Sequence, residues 1–372
     1  MKKITIVHLA DMHVSVTQVA EFKKRANAFL DDLKDLNIFP DLVTISGDLS
    51  FSGKKEQYDI VQKYLLAPLC KKMDLEPRNI VIGMGNHDID RSKVDKVLEN
   101  GILSMVKNGD YSPLTDDGKY KDIESAFIDF CASYGYSCKP VEVFDFEGLK
   151  VGIAVFNSTR LCLSRDCKKS EIRIPIETVN KCVEQIEDCA FRMAMFHHPF
   201  DWFAEDDPDS TISELKHSFD LILNGHIHEN QSEGVSSPNA SYLQAVVSSF
   251  FKGTARQTVG IEGYSIYQID PNEMKMFGTF RKYAHLRHEF DKDTDSARDG
   301  FGEYNLPNSS LVRQKNFIAL QQSGKVQNVI KSLLDKSSFS VQQISCPVYV
   351  EPNVYSVSVN STGEIKALHG YS

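Results

Sequence analysis

The sequence has no C-x-x-C pair, no excess of basic charge and no apolar run of the roughly 18 residues that a membrane-spanning helix requires. Its eight cysteines are scattered from Cys70 to Cys346, which argues against a zinc knuckle or a thioredoxin-like redox motif. Cys162 and Cys167 could form a local pair, but a chain of 372 residues needs no disulfide to fold. Free thiols in a reducing cytosol are the expectation. The start, "MKKITIVHLADMH", is basic, but its apolar run is short and broken by His8, with no small-residue cleavage site after it. A cytoplasmic protein is expected. The formal net charge of −9 disfavours a general nucleic-acid surface, while leaving room for a local cationic site. Internal repeats and low-complexity tracts are also lacking.

What is present is the composition of a soluble globular protein, 41% apolar and 25% charged. The length suits one large domain or a domain with an appendage. Apolar runs alternate with amphipathic stretches along the first half. "ITIVHLA", "DLVTIS" and "NIVIGMG" read as buried strands, with helices over Val16–Leu36, through "GKKEQYDIVQKYLLAPLCKKM", and near 91–107 and 120–135. That alternation predicts parallel pairing in an α/β layer structure. "VEVFDF" and "KVGIAVFNS" read as a hairpin, "TRLCLSRDCKKSEIRIP" as a long surface loop, and 177–189 as a helix leading into "FRMAMF". "FDLILNG" is a further strand, and "YSIYQID" with "KMFGTFRKY" an antiparallel pair. After residue 285 the chain turns charged and loop-like, with a helix expected over 310–336 and a β-prone tail. The expected division is a domain over 1–285 and a linker, helix and small appendage over 286–372.

Ligands in α/β sheets sit beyond the carboxyl ends of the strands. Five of those ends carry polar groups. "ADMH" gives Asp11 and His13, "SGDLS" gives Asp48, and "GNHD" gives Asn86 and His87. "HHP" gives His197 and His198, and "GHIH" gives His226 and His228. A lone Gly-Asn-His-Asp would read as a turn. Five such ends together gather carboxylates, imidazoles and an amide, a donor set suited to first-row divalent ions rather than to an acyl-transfer triad.

These five motifs, in this order, resemble the calcineurin-like metallophosphoesterase superfamily over roughly residues 3 to 283. The resemblance implies a four-layer α-β-β-α sandwich with two mixed sheets, and a centre of two divalent metal ions. Manganese is the expected metal, with iron, zinc, nickel or cobalt as alternatives. Carried across, Asp11, His13, Asp48 and His228 would hold one ion, and Asp48, Asn86, His197 and His226 the other, with Asp48 bridging. A bridging hydroxide would attack the phosphorus, and the centre would keep roughly a single net positive charge. His87 is then the general acid at the leaving oxygen. His198 would orient a neighbour through a ring nitrogen or touch the substrate, and Asp88 would fix its turn.

Departures from relatives bear on the substrate. Protein phosphatases of the superfamily carry GDxVDRG and GNHE, whereas here Phe51 stands in place of the second Asp and Asp88 in place of the Glu. "GDLSFSGKKEQY" looks more like the cyclic-nucleotide phosphodiesterases, and "HLADMH" resembles the repair nucleases. A phosphodiesterase or nuclease acting on nucleotides or nucleic acid is therefore expected. The alternatives are a phosphomonoesterase on a small metabolite and a metal-binding scaffold without catalysis. Trp202, between Phe200 and Phe203, is either a lip that stacks a nucleobase or an anchor for its loop. Arg91, after "GNHDID", and Arg160, after "FNST", are the cations near the motifs and candidates to clamp the substrate phosphate, with Arg165 and Arg173 further along; a solvated loop is the other reading of the 158–173 segment. The tail "CPVYVEPNVY" resembles junctions that follow effector domains in bacterial multidomain NTPases, which implies a regulatory NTPase partner or domain.

Overall fold

The strands form where β-branched and aliphatic residues run together, and some helices begin at a capping side chain or a proline, as α4 does at Asp95 and α6 at Pro175. A computed structural model describes residues 2–204, 210–236, 241–252 and 261–306, and three strands beyond them. In chain order the elements are β1 (Ile4–Leu9), α1 (Val19–Asp35), β2 (Leu42–Ile45), α2 (Lys55–Val61), α3 (Ala67–Met73), β3 (Ile80–Ile82), α4 (Lys96–Lys107) and α5 (Lys121–Tyr134). There follow β4 (Val141–Phe146), β5 (Leu149–Val155), α6 (Ile176–Gln185), β6 (Phe191–Met195), α7 (Ser210–Ser218), β7 (Leu221–Asn224), β8 (Gln231–Ser236) and β9 (Ser241–Val246). The last are β10 (Gly263–Asp270), β11 (Lys275–Ala284), β12 (Glu289–Lys292) and β13 (Phe301–Asn305), then β14 (Cys346–Val350), β15 (Asn353–Val359) and β16 (Ile365–Leu368).

One sheet has the order β12-β11-β10-β1-β2-β3, with β13 also on β11. In it β1, β2 and β3 are parallel, and β10 runs against β1. The other has the order β4-β5-β6-β7-β9-β8, parallel from β5 to β9. Both sheets are mixed, as expected. The period of two along each strand divides its side chains between two cores. Ile4, Ile6 and Val81 of the first sheet meet Val151, Phe191 and Leu221 of the second in one buried cluster. On the opposite faces, Val7 and Leu9 pack with Phe22, Phe29 and Leu33 of α1, and Ala154 and Ala194 with Val179 of α6 and Leu215 of α7. That is the α-β-β-α sandwich.

Several elements differ in detail from the sequence reading. The helix expected from residue 53 to 73 is interrupted by a wide turn at Gln62–Leu66, just ahead of Pro68. Proline lacks an N–H and its ring crowds the carbonyl of the preceding turn, so a wider turn relieves both problems. Helix α4 starts later than expected, at Lys96, because the Asp95 carboxylate accepts from Val97 N at 2.7 Å and caps the helix there. The segment after 285 holds β12 and β13, both paired with β11, so the sheet continues past that residue. These edge strands carry little apolar alternation, since β12 buries only Phe290, and so read as loop.

The chain divides into two compact units, Met1–Gln314 and Lys315–Ser372. In the second, β14, β15 and β16 form an antiparallel meander. The helix expected over 310–336 lies outside the described residues. No helix among the described residues is long and apolar enough to cross a membrane. Every cysteine whose side chain is described, Cys162 and Cys167 included, is a free thiol.

Candidate metal centre

Each motif follows a buried strand, and the chain has to turn at once to bring its polar residue over the sheet edge. Asp11, His13, Asp48, His226 and His228 all adopt left-handed backbone conformations, with φ of 54°, 42°, 57°, 72° and 59°. Such angles are uncommon for residues with a Cβ and persist where the surroundings enforce them. Here the enforcement is hydrogen bonding between loops. Met12 N and His13 N both donate to Asp48 O, at 2.8 and 2.9 Å, and Asp11 N donates to Gly47 O at 3.0 Å. The loops approach so closely that a Cβ on Gly85 would lie 2.1 Å from Asp48 Oδ1. Only glycine fits there.

The side chains converge on two points. At the first, His13 Nε2 and His228 Nε2 lie 3.1 Å apart, and His228 Nε2 is 3.2 Å from Asp11 Oδ1. Asp11 Oδ1 is buried with no hydrogen-bond donor. At the second, His197 Nε2 lies 3.0 Å from Asn86 Oδ1, 3.2 Å from His226 Nδ1 and 3.3 Å from Asp48 Oδ2. His197 Nδ1 is 2.8 Å from the Ser46 carbonyl, which can only accept, so Nδ1 carries a proton and Nε2 is the nitrogen that could ligate an ion. Asp48 Oδ2 also lies 3.7 Å from His13 Nε2, which puts it between the two clusters. Lone pairs crowded in this way, in a buried site, repel one another unless a cation sits among them. The residues present therefore fit two divalent ions, with Asp48 shared.

The electrostatics carry the same message. Burial works against a charge on His197, but the Asp48 carboxylate outweighs it and raises the imidazole pKa to about 9. In the protein alone a proton thus stands where a metal would balance Asp48. Burial opposes ionisation of Asp11, yet His228 draws its pKa down to about 2. Burial drives His13 to about 3, and burial together with His197 takes His226 to about 4, so both present neutral nitrogens.

His87 lies at the rim of the centre, its ring edge-on to that of His13 at 4.6 Å between centroids. Its main-chain N–H donates to Asp48 Oδ1 at 2.7 Å. Its Nδ1 is 2.9 Å from the carbonyl of Phe51, which fixes the Nδ1–H tautomer and leaves Nε2 to hold or release a proton. Phe51, where protein phosphatases have their second Asp, thus orients this imidazole through its main chain. Asp88 accepts from Gly85 N and Ser50 N, each at 3.0 Å, and from the Tyr58 hydroxyl at 3.1 Å, clasping the second and third motifs together.

The remaining expected contacts fall differently. His198 is wholly buried, so no substrate can reach it. Its Nδ1 is 2.9 Å from Ser158 Oγ, and its ring stacks obliquely 4.4 Å from that of His226. Trp202 presses edge-on against His226 at 4.1 Å between centroids, which favours an anchor and a brace for His226 over a stacking lip. Arg160 turns to α5 and its flank, donating to Leu114 O at 2.6 Å and pairing with Asp117, with its guanidinium over the Tyr120 ring. Arg165 pairs with Glu171 at 2.7 Å. Arg91 does approach the site, donating to Asn86 O at 3.3 Å and pairing with Asp166.

Two groups escaped the sequence reading. Asp166, within the long loop after β5, accepts from Asn86 Nδ2 at 2.7 Å. Lys252 belongs to a segment hydrogen-bonded beside Asp11, through Phe250 N to Ala10 O and Phe251 N to Asp11 O. Burial holds its ammonium below the usual range despite the acidic groups of Glu262 and Asp11. No motif marks either residue.

Residues 4–230 match the calcineurin-like phosphoesterase family. The metallophosphoesterase-like protein YydB of Bacillus subtilis (strain 168) is 24% identical over 266 residues, 66% of this chain and 53% of that protein. The chain thus spans about half the length of the curated relative it matches. Similar solved structures include a predicted phosphoesterase of Streptococcus pneumoniae TIGR4, at 13% identity and TM-score 0.32, covering 82% of this chain and 98% of that one. Vps29 of Entamoeba histolytica in complex with zinc is 10% identical at TM-score 0.31, covering 76% of this chain and 93% of that one. With the match extending over more than half of its length, the chain belongs to the calcineurin-like phosphoesterase family.

Proposed function

We propose that the chain hydrolyses phosphodiester bonds in nucleotides or nucleic acid, using two divalent ions held by Asp11, His13, Asp48, Asn86, His197, His226 and His228. The observation that carries this reading is Asp48, whose Oδ2 lies 3.3 Å from His197 Nε2 and 3.7 Å from His13 Nε2, between the two clusters of candidate ligands. Bound ions would supply Lewis acidity and a hydroxide nucleophile near neutral pH, and manganese is the expected metal. The chain's own residues do the rest. His87 holds a proton on Nε2 and gives it to the leaving oxygen, its ring oriented by the Phe51 carbonyl. Trp202 and His198 keep His226 in place.

Preference for a diester follows from the charges around the site. A diester carries one negative charge, which the metal centre balances without further cations. Of the arginines near the motifs, Arg160 bonds away from the centre to Leu114 O and Asp117, and Arg91, beside Asn86, has its charge paired with Asp166. A monoesterase is the second reading, favoured by Arg91 lying against Asn86 and by Lys252 beside Asp11. The test is to strip the protein of metal, restore Mn²⁺ and follow hydrolysis of a nucleotide diester. Activity that returns with about two equivalents of metal supports the reading. Full activity in the stripped protein would refute it.

A further inference from the structure

We propose that Asp166 is a positioning residue for the metal centre, setting the rotation of the Asn86 amide so that its oxygen faces the ion site. The inference rests on the two-ion reading above. Among the expected ligands Asn86 alone is an amide, and an amide has two unlike ends. Rotated by half a turn it presents Nδ2, which carries no lone pair for a cation. In the structure Nδ2 donates to Asp166 Oδ1 at 2.7 Å, while Oδ1 lies 3.0 Å from His197 Nε2. A carboxylate can only accept, so the identity of the end that faces Asp166 follows from chemistry. The reversed amide would set oxygen against oxygen on one side and N–H groups against the ion on the other.

Arg91 closes the arrangement. Its Nη2 donates both to Asp166 and to the main-chain carbonyl of Asn86, so one ion pair grips residue 86 by side chain and backbone. The loop that presents Asp166 is itself held. Ser164 donates to Glu99 Oε1 of α4 through its N at 3.1 Å and its Oγ at 2.5 Å. Arg165 bonds the Asp166 carbonyl at 2.8 Å as well as Glu171. Cys162 and Cys167 bury their side chains on either side. Asp166 itself is half exposed, at 55% of its side chain, so replacing it should leave the core untouched.

The test is calorimetric titration of the metal-free full chain with Mn²⁺, comparing wild type with D166A and D166N. Wild type is expected to bind two ions. D166A should bind one as before and the other about 10–100-fold more weakly, the usual cost of losing a partner that orients a ligand. D166N keeps an oxygen for Asn86 Nδ2 to meet, and should stay within a few-fold of wild type. Unchanged affinities in D166A would overturn the positioning role while leaving the two-ion site standing. So would a D166N defect as large as that of D166A, or a D166A chain that loses both ions together with its fold. A wild-type chain that takes up no ion would instead remove the reading on which the proposal stands.

Discussion

Asp48 is the residue on which both proposed ion positions depend. Its Oδ1 accepts from His87 N, and its Oδ2 faces His197 and His13. Asp48→Asn keeps the shape but replaces one oxygen with a donor, so it should weaken both ions together and abolish turnover. Metal analysis of the purified variant reads this directly, and two retained ions with normal turnover would sink the shared-ligand assignment. His87 makes a contrasting prediction, because no expected ion contact depends on its ring. His87→Ala should lower kcat by about 10²–10⁴-fold with metal content unchanged. The loss should shrink for leaving groups as good as p-nitrophenolate, which need little protonation. Equal losses for good and poor leaving groups would count against the acid role, and loss of metal would make His87 a ligand.

The loops between strands and helices hold these residues, and here the sequence was legible in part. β1, β2, β3, β6 and β7 are short apolar runs that each end in a motif, so strand and ligand could be read together from one stretch. Asp166 could not, because it meets Asn86 across 80 residues and its own surroundings look like any charged loop. The two edge strands β12 and β13 escaped for a related reason, having little buried face to imprint a pattern on the sequence. Arg160 bonds to Leu114 O and Asp117, partners that its proximity to "FNST" could not reveal, because the sequence says nothing of where a long side chain bonds. Its partners lie in a network with Glu124 of α5, which accepts from Asn157 Nδ2 at 2.9 Å and lies 3.9 Å from Arg160 Nε. Burial raises the Glu124 pKa from 4.5 to about 7, against the pull of Arg160. A carboxyl raised on folding stabilises the native state fully below pH 4.5, and this contribution is lost as pH rises through 7. Replacing it by Gln should flatten that dependence, removing a slope worth about 2–4 kcal/mol across the window. Urea unfolding at pH 5 and pH 8 measures it, and an unchanged slope in E124Q would show that Glu124 is not its source.

At the scale of the molecule, two sheets pressed face to face bring five strand ends to one edge, and lone pairs accumulate there. Binding of ions to the folded chain alone should raise its stability by about 2.7 kcal/mol at a hundredfold excess over Kd. A chelator should lower the melting temperature accordingly, and thermal scans with and without Mn²⁺ would detect it. An unchanged melting temperature would mean that no ion binds the native site. Against a net charge of −9, the positive charge of the proposed two-ion centre would be the main attraction for an anionic substrate. Substrate choice then turns on how much cationic charge the ions and side chains present together. The most direct test is kcat/KM of the Mn²⁺-loaded chain for bis-p-nitrophenyl phosphate against p-nitrophenyl phosphate. A diester advantage of about tenfold or more, abolished by chelation, is the predicted result. A monoester advantage of that size, lost on Arg91→Ala, would contradict the diesterase reading.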